Sequence, residues 1–340
     1  MRSFRNLSFW LILLVVALVA LLPTLADSAA LPFLTNAATM RENLFLLLML
    51  VTLASSINII MGYTGYVSFG HIVFFGLGGY FAFYLVQTYS VNVLLAALAG
   101  GIGASLIATL IGIPVLRLRG AYFALATIGI NEAMRAFMNN FDPFGGALGM
   151  FFNYAVYDSY GGAKNAGELA YYAMIAVTLA TIATSFLIKK SKFGLGLLAI
   201  REDQDASQVL GIDPARAKVI AYAISAFFPA LAGAIFFFKN GIIEPGIAFD
   251  LQRSIEGLVM VMLGGYGTVT GPIVGAVVYD RLRSALITSP PITLGSLTVN
   301  LSNFHLVVAG ILLLLVVLFV TAGFVGWLRN RFPAVRRFLE

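Results

Sequence analysis

KKSKFGLGLLAIREDQDASQVLGIDPARAK, residues 189–218, is the one long polar interruption in an otherwise apolar chain. The chain carries 21 Lys and Arg and 15 Asp and Glu, and ten of these charges fall within these 30 positions. Apolar runs flank the stretch on both sides, so it reads as a segment outside the lipid that is available for docking. Gly211 suits a left-handed helix C-terminus, while Asp213 followed by Pro214 is an N-cap with proline at the first helical position. One short helix is expected to end near Leu210 and the next to begin at Pro214.

The composition around it excludes a soluble domain. Of 340 residues 60% are hydrophobic and 11% charged, and the mean hydropathy is +0.94, against roughly 25% charged residues in soluble proteins. Backbone groups in lipid must pair internally, and apolar runs near the ~20 residues needed to span indicate helices rather than a barrel. The net charge of +6 does not suggest nucleic acid. The positive residues lie between apolar runs, without the interleaved aromatics of a nucleic-acid surface, and they follow the positive-inside bias. With no cysteine, thiol chemistry, disulfides and thiolate metal sites are excluded.

Outward from the central stretch, spans are expected at Leu169–Ile188 before it and at Ala217–Phe238 after it, the latter kinked at Pro229. Upstream, the expected spans are Asn43–Met61, Tyr66–Gln87, Val91–Val115 and Ala121–Met138, with an outer loop from Asn139 to Glu168. Only Gly62–Gly65 separates two of them, which suggests a broken or tightly turned element at the membrane edge. The run Phe9–Leu25 is compatible with a secretory signal or an uncleaved first span. It exceeds the usual signal core of about 7–15 residues, which favours the span.

Downstream of a second outer segment, Lys239–Gln252, the pieces Arg253–Tyr266 and Pro272–Thr288 flank Gly267–Gly271 and read as two half-helices or a re-entrant hairpin. Phe304–Trp327 is the last expected span, before a basic tail with Arg329, Arg331, Arg336 and Arg337. The reading is an all-α polytopic membrane protein of about ten helices, including short or re-entrant ones, as a single domain over residues 1–340. It leaves 14 of the 21 Lys and Arg in the cytoplasm and puts both termini inside.

A faint echo relates Gly65–Val73 to Gly267–Val274, as in transporters built from repeats with discontinuous helices. Gly267, Gly271 and Gly275 recur every four residues and on a helix would form a smooth groove for packing or conduction, although Gly267 and Gly271 also fit a helix break. Ala226, Ala230 and Ala234 read as packing positions. Glu132 and Arg135 share a helix face three apart, so they read as an internal ion pair or as contacts for a charged solute. His71 lacks acidic or sulfur neighbours and reads as a hydrogen-bonding packing residue, with no metal site implied. The phosphate loop G-x-x-x-x-G-K-[ST], the G-x-S-x-G elbow and the H-E-x-x-H helix are all missing, so ATP binding and the commonest hydrolytic sites are not expected. No cofactor is expected either.

Residues 58–80, NIIMGYTGYVSFGHIVFFGLGGY, closely resemble the signature of permease subunits of branched-chain amino acid ABC importers, specifically the LivM type. The resemblance continues in RLRGAYFALATIG (117–129), FGLGLLAIRED (193–203), LGI (210–212), LAGA (231–234), SIEGLVMVMLGGYG (254–267) and GPIVGA (271–276). It departs from that family at Ala121 and Gln204, where acidic residues are frequent.

The resemblance implies a non-enzymatic permease in the bacterial inner membrane that moves a small polar solute inward by alternating access. It also implies a second permease subunit, two ATP-binding subunits and a periplasmic solute-binding protein as partners. The branched-chain amino acids are the first expected cargo, with urea, amides or aromatic acids as alternatives. An integral membrane enzyme is the rival from another class, and an ion-coupled transporter acting alone is a third. The pathway candidates are Gly65, Ser68, His71, Glu132, Arg135, Gly267 and Gly271. The ATPase-coupling candidates are Arg201, Glu202, Asp203, Asp205 and Gly211.

Overall fold

The computed structural model describes residues 37–153 and 155–288, the strands Ile292–Leu294 and Leu297–Val299, and a few single positions nearer the ends. The expected spans Phe9–Leu25 and Phe304–Trp327 and the basic tail lie outside the described residues. The described chain is mainly helical: α1 (Ala37–Thr64), α2 (Ile72–Tyr89), α3 (Val93–Val115), α4 (Ala121–Asn139), α5 (Ala163–Lys190), α6 (Lys192–Glu202), α7 (Gln204–Val209), α8 (Pro214–Asn240), α9 (Leu251–Gly264) and α10 (Gly271–Thr288). Among the described residues, α1, α2, α3, α5 and α8 are long and apolar enough to cross a membrane. This is a multi-pass membrane protein. Helix α4 is absent from that set, in keeping with the polar Asn131, Glu132 and Arg135 along it.

Helix α1 runs through the middle of the bundle, almost wholly buried. It joins α5 through the hydroxyls of Thr52 and Thr178 (2.9 Å) and through Tyr63 Oη and Ser185 Oγ (2.8 Å). Helix α8 packs against α3 through side chains and against α2 at backbone distance: a Cβ placed on Gly233 would lie 2.0 Å from the Phe75 carbonyl oxygen. The buried Ala226, Ala230 and Ala234 share this role, as the sequence suggested. Pro229 sits inside α8 without interrupting it. The short strands Met150–Phe151 and Ile242–Ile243 pair antiparallel, tying the α4–α5 connection to the α8–α9 connection.

One boundary differs from expectation. The helix does not break at Gly62: Thr64 Oγ1 bonds back to Ile60 O, Tyr63 is anchored on Ser185, and α1 continues to Thr64. The break is residues 65–71, opened by Gly65 at φ +79°. It also penetrates the bundle rather than lying at its edge. Phe69 N donates to Thr127 Oγ1 on α4 (3.1 Å), Ile72 N to Ser254 Oγ on α9 (2.9 Å), and His71 Nε2 meets Ser225 O midway along α8 (3.1 Å). Helix α2 therefore starts inside the protein.

The expected pair of short helices is present as α9 and α10, joined by a turn with Gly265 and Gly267 at φ +118° and +74°. The continuous groove along Gly267, Gly271 and Gly275 is not: Gly267 belongs to the turn, and α10 begins at Gly271. The close approach runs between α9 and α10 instead. A Cβ on Gly275 would fall 1.8 Å from Met260 O, and one on Gly264 would fall 1.7 Å from Gly271 O.

Candidate functional site

The central charged stretch folds as the sequence indicates. Asp203 caps α7, its Oδ1 accepting from Asp205 N (2.8 Å) and Ala206 N (2.9 Å). Gly211 is left-handed at φ +82°, and Asp213 caps α8 by accepting from Ala215 N and Arg216 N at 3.1 and 3.2 Å. Arg119, from the α3–α4 turn, holds Asp205 through two bonds of 2.8 and 3.2 Å. These bonds, reinforced by the charge of Arg119, keep the Asp205 carboxyl below its usual range and raise the Arg119 guanidinium above its own.

Arg201 does not point away from the bundle. Its Nη1 donates to Gly62 O (2.8 Å) at the end of α1, and its guanidinium lies 4.8 Å from the Tyr266 ring centre. It also fills the space beside one glycine in each of the two breaks. A Cβ on Gly65 would stand 3.3 Å from Arg201 Cγ, and one on Gly267 would stand 2.6 Å from Arg201 Nη1. One side chain of the charged segment thus touches both discontinuities. The second break is also tied to α1: Asn58, buried in that helix, accepts from Gly267 N (2.9 Å) and donates to Thr268 O (2.8 Å). The neighbouring Glu202 faces outward with its side chain 79% exposed.

A second link lies on the other side of the first break. Lys218, at the start of α8 and buried, donates to Tyr66 Oη (2.7 Å), Leu116 O (2.7 Å) and Gln204 Oε1 (3.1 Å), which uses all three ammonium protons. Tyr66 Oη donates in turn to Gln204 Oε1 (3.0 Å), closing the network. A cavity of about 460 Å³ opens between these groups, lined by Gly65, Tyr66, Phe69, Ala121, Arg201 and Gln204 among others.

Of the pathway candidates, Gly65 and Gly267 come together around Arg201, while Gly271 begins α10 with its N–H on Thr268 Oγ1 (2.9 Å). Ser68 and His71 are enclosed, and His71 stands edge-on to Phe74 and Tyr222 at 5.5 and 6.1 Å. Glu132 and Arg135 pair at 3.7 Å on a different face, each about half exposed, beside the exposed Tyr122, Leu125 and Phe137. Among the described residues nothing covers that surface of α4. Among the described residues no cluster of metal-ligating side chains occurs. Sequence reasoning passed over Asn58, Tyr66 and Lys218, whose partners lie up to 210 positions away.

Residues 39–317 match the family model described as branched-chain amino acid transport system / permease component. The chain belongs to that family. Members similar to it include the high-affinity branched-chain amino acid transport system permease protein LivM of Escherichia coli, 27% identical over 280 residues, covering 76% of this chain and 65% of LivM. The permease protein LivH of the same organism is 26% identical over 302 residues, covering 81% of this chain and 93% of LivH. The ribose import permease protein RbsC of Haemophilus influenzae is 30% identical over 106 residues, 30% of this chain and 32% of RbsC. The chain thus spans just under two thirds of the LivM relative. No solved structure matches it. Most of the residues that carried the resemblance fall on the α1–α2 break, the α3–α4 turn, the charged segment and the α9–α10 hairpin, while LAGA (231–234) lies within α8.

Proposed function

We propose that this chain is the membrane-spanning permease subunit of an ATP-driven importer, carrying a small polar solute, branched-chain amino acids first, into the cytoplasm by alternating access. The observation that carries the reading is Arg201. A charged segment outside the spans grips both helix breaks through one guanidinium, so a partner that pushes on the segment moves the two discontinuities together. ATP hydrolysis comes from two ATP-binding subunits, since no phosphate loop is present in the sequence. The names of the LivM and LivH relatives support a transport role, without enzymatic activity of its own, and an amino acid cargo.

In this reading the chain is a single domain of about ten helices, half-helices included, in the inner membrane with both termini in the cytoplasm. The segment 189–218 is the coupling surface, with Glu202, Asp203, Asp205 and Gly211 toward the ATP-binding subunits and Arg201 as its inward anchor. The half-exposed Glu132–Arg135 pair lies toward a second permease subunit, with Gly65, Ser68, His71, Gly267 and Gly271 nearer the moving breaks. A periplasmic binding protein delivers the solute. ATP-driven uptake of labelled leucine, urea and benzoate by the reconstituted complex tests the cargo. Leucine uptake is expected; uptake of urea or benzoate in its place would move the protein to another solute.

A further inference from the structure

A cavity of about 610 Å³ opens where the ends of α3 and α8 meet the charged segment. Its wall is of two kinds. Ile113, Leu116, Val219 and Ile220 are apolar, while Arg117, Arg119, Arg216 and Lys218 line it together with a single carboxylate, Asp213. Asp213 pairs with Arg216 at 3.1 Å; Arg119 is held by Asp205, and Asp203 acts on it more weakly. The other two cations face no carboxylate. Arg117 is exposed, and among the described residues its guanidinium has neither a hydrogen bond nor a salt bridge. Lys218 is buried with its protons on uncharged oxygens, and the charge that acts on it is the like charge of Arg119. The cavity is left with net positive charge.

An apolar stripe leads away from it along α3. Leu95, Leu98, Ile102, Leu106, Leu110 and Ile113 follow each other three or four residues apart, each between 47% and 69% exposed. At 1.5 Å per residue the stripe covers about 27 Å, close to the ~30 Å of a hydrocarbon core. Ile113 both ends the stripe and belongs to the cavity wall, so the cations stand where acyl chains give way to headgroups. A neutral helix would match the stripe alone, and a soluble acidic partner would match the charges alone. An anionic lipid matches both.

We infer that the cavity between the ends of α3 and α8 binds the headgroup of an anionic phospholipid whose acyl chains lie along the α3 stripe. Phosphate oxygens accept from the planar fork of Arg117, and Lys218, with its protons already engaged, contributes a fixed charge from within the bundle. A zwitterionic headgroup brings its own ammonium to a site that is already positive and is disfavoured there. Gln204 and Gln208 of the charged segment line the same cavity, so the headgroup rests against that segment. In the proposed orientation the lipid belongs to the cytoplasmic leaflet. The inference goes beyond the permease reading and does not depend on the cargo.

The test is photocross-linking of the whole complex in phosphatidylcholine nanodiscs that contain a small share of either phosphatidylglycerol or phosphatidylcholine bearing a diazirine beside its glycerol, with the labelled peptides read by mass spectrometry. Label within residues 113–119 and 214–220 is expected to be about fivefold higher from the phosphatidylglycerol probe. Unlabelled phosphatidylglycerol should compete it away, and inorganic phosphate at the same concentration should not. Arg117→Gln is expected to bring the two probes close to parity, Arg117→Glu to abolish the preference, and Arg117→Lys, which keeps the charge, to retain most of it. Arg117 is exposed and makes no side-chain bond, so these variants leave the fold in place. Equal labelling by the two probes, or an undiminished preference in both Arg117→Gln and Arg117→Glu, overturns the site. So does displacement by inorganic phosphate, which would make it an ion site, and so does an absence of label there, as a protein partner covering α3 would give.

Discussion

Replacing Arg201 with methionine keeps most of the side-chain volume and removes the guanidinium. The change deletes a charge-assisted hydrogen bond to Gly62 O at 2.8 Å, a class of contact worth about 1.5–3 kcal/mol. It also deletes the contact with the Tyr266 ring at 4.8 Å, which adds about 0.5–1 kcal/mol. Because the Arg201 side chain is still 25% exposed, water recovers part of this, and a net loss of about 2–3 kcal/mol is expected. Unfolding of the purified protein would read that loss directly. The functional consequence is distinct: with the segment no longer tied to the breaks, ATP hydrolysis should continue while fewer solute molecules enter per ATP. Arg201→Lys keeps the charge but loses the fork and should fall between. Wild-type unfolding together with a wild-type ratio of solute to ATP in Arg201→Met would refute the clasp.

Gly275→Ala places a Cβ 1.8 Å from Met260 O, so α9 and α10 must part by about 1.5 Å; a loss at or above the upper end of about 1–3 kcal/mol is expected in thermal unfolding, and wild-type stability would refute the close approach of the two helices. Neutralising Glu132 or Arg135 alone should reduce membrane expression more than neutralising both, because a lone charge in the bilayer costs about 2.5–3.5 kcal/mol on insertion scales; additive losses in the Glu132→Gln, Arg135→Gln and double variants would show that the two act independently. The chain has no native cysteine, so a single Ser191→Cys change should react with an impermeant thiol reagent only in inside-out vesicles, and labelling from outside intact cells would invert the proposed topology.

The helix punctuation of the charged segment was legible because its signals are local: an aspartate before a proline, and a glycine after a helix, need only their immediate neighbours. The long apolar helices and the short α9–α10 pair were legible for a similar reason, since length and hydropathy are properties of one segment. The position of the first break was not. Gly62-Tyr63-Thr64-Gly65 reads as a turn, but Tyr63 finds Ser185 across the bundle, and that tertiary bond extends α1 by a further turn. The every-fourth glycines failed as a groove for the complementary reason. Periodicity presumes one continuous helix, and Asn58, some 209 positions away, holds Gly267 in a turn instead. Lys218 and Arg201 were visible as charges in a polar stretch, where charges ordinarily face water. That both turn inward depends on backbone carbonyls, Gly62 O and Leu116 O, whose exposure at the ends of α1 and α3 no local pattern announces.

The central claim is that this chain is a passage driven by another subunit's ATP. It is tested most directly by loading proteoliposomes with ATP on the side of the ATP-binding subunits and following labelled leucine supplied with its binding protein on the other side. Accumulation is expected that requires hydrolysable ATP and stops when the ATP-binding subunits are left out. Accumulation driven by an ion gradient in the absence of those subunits would contradict it.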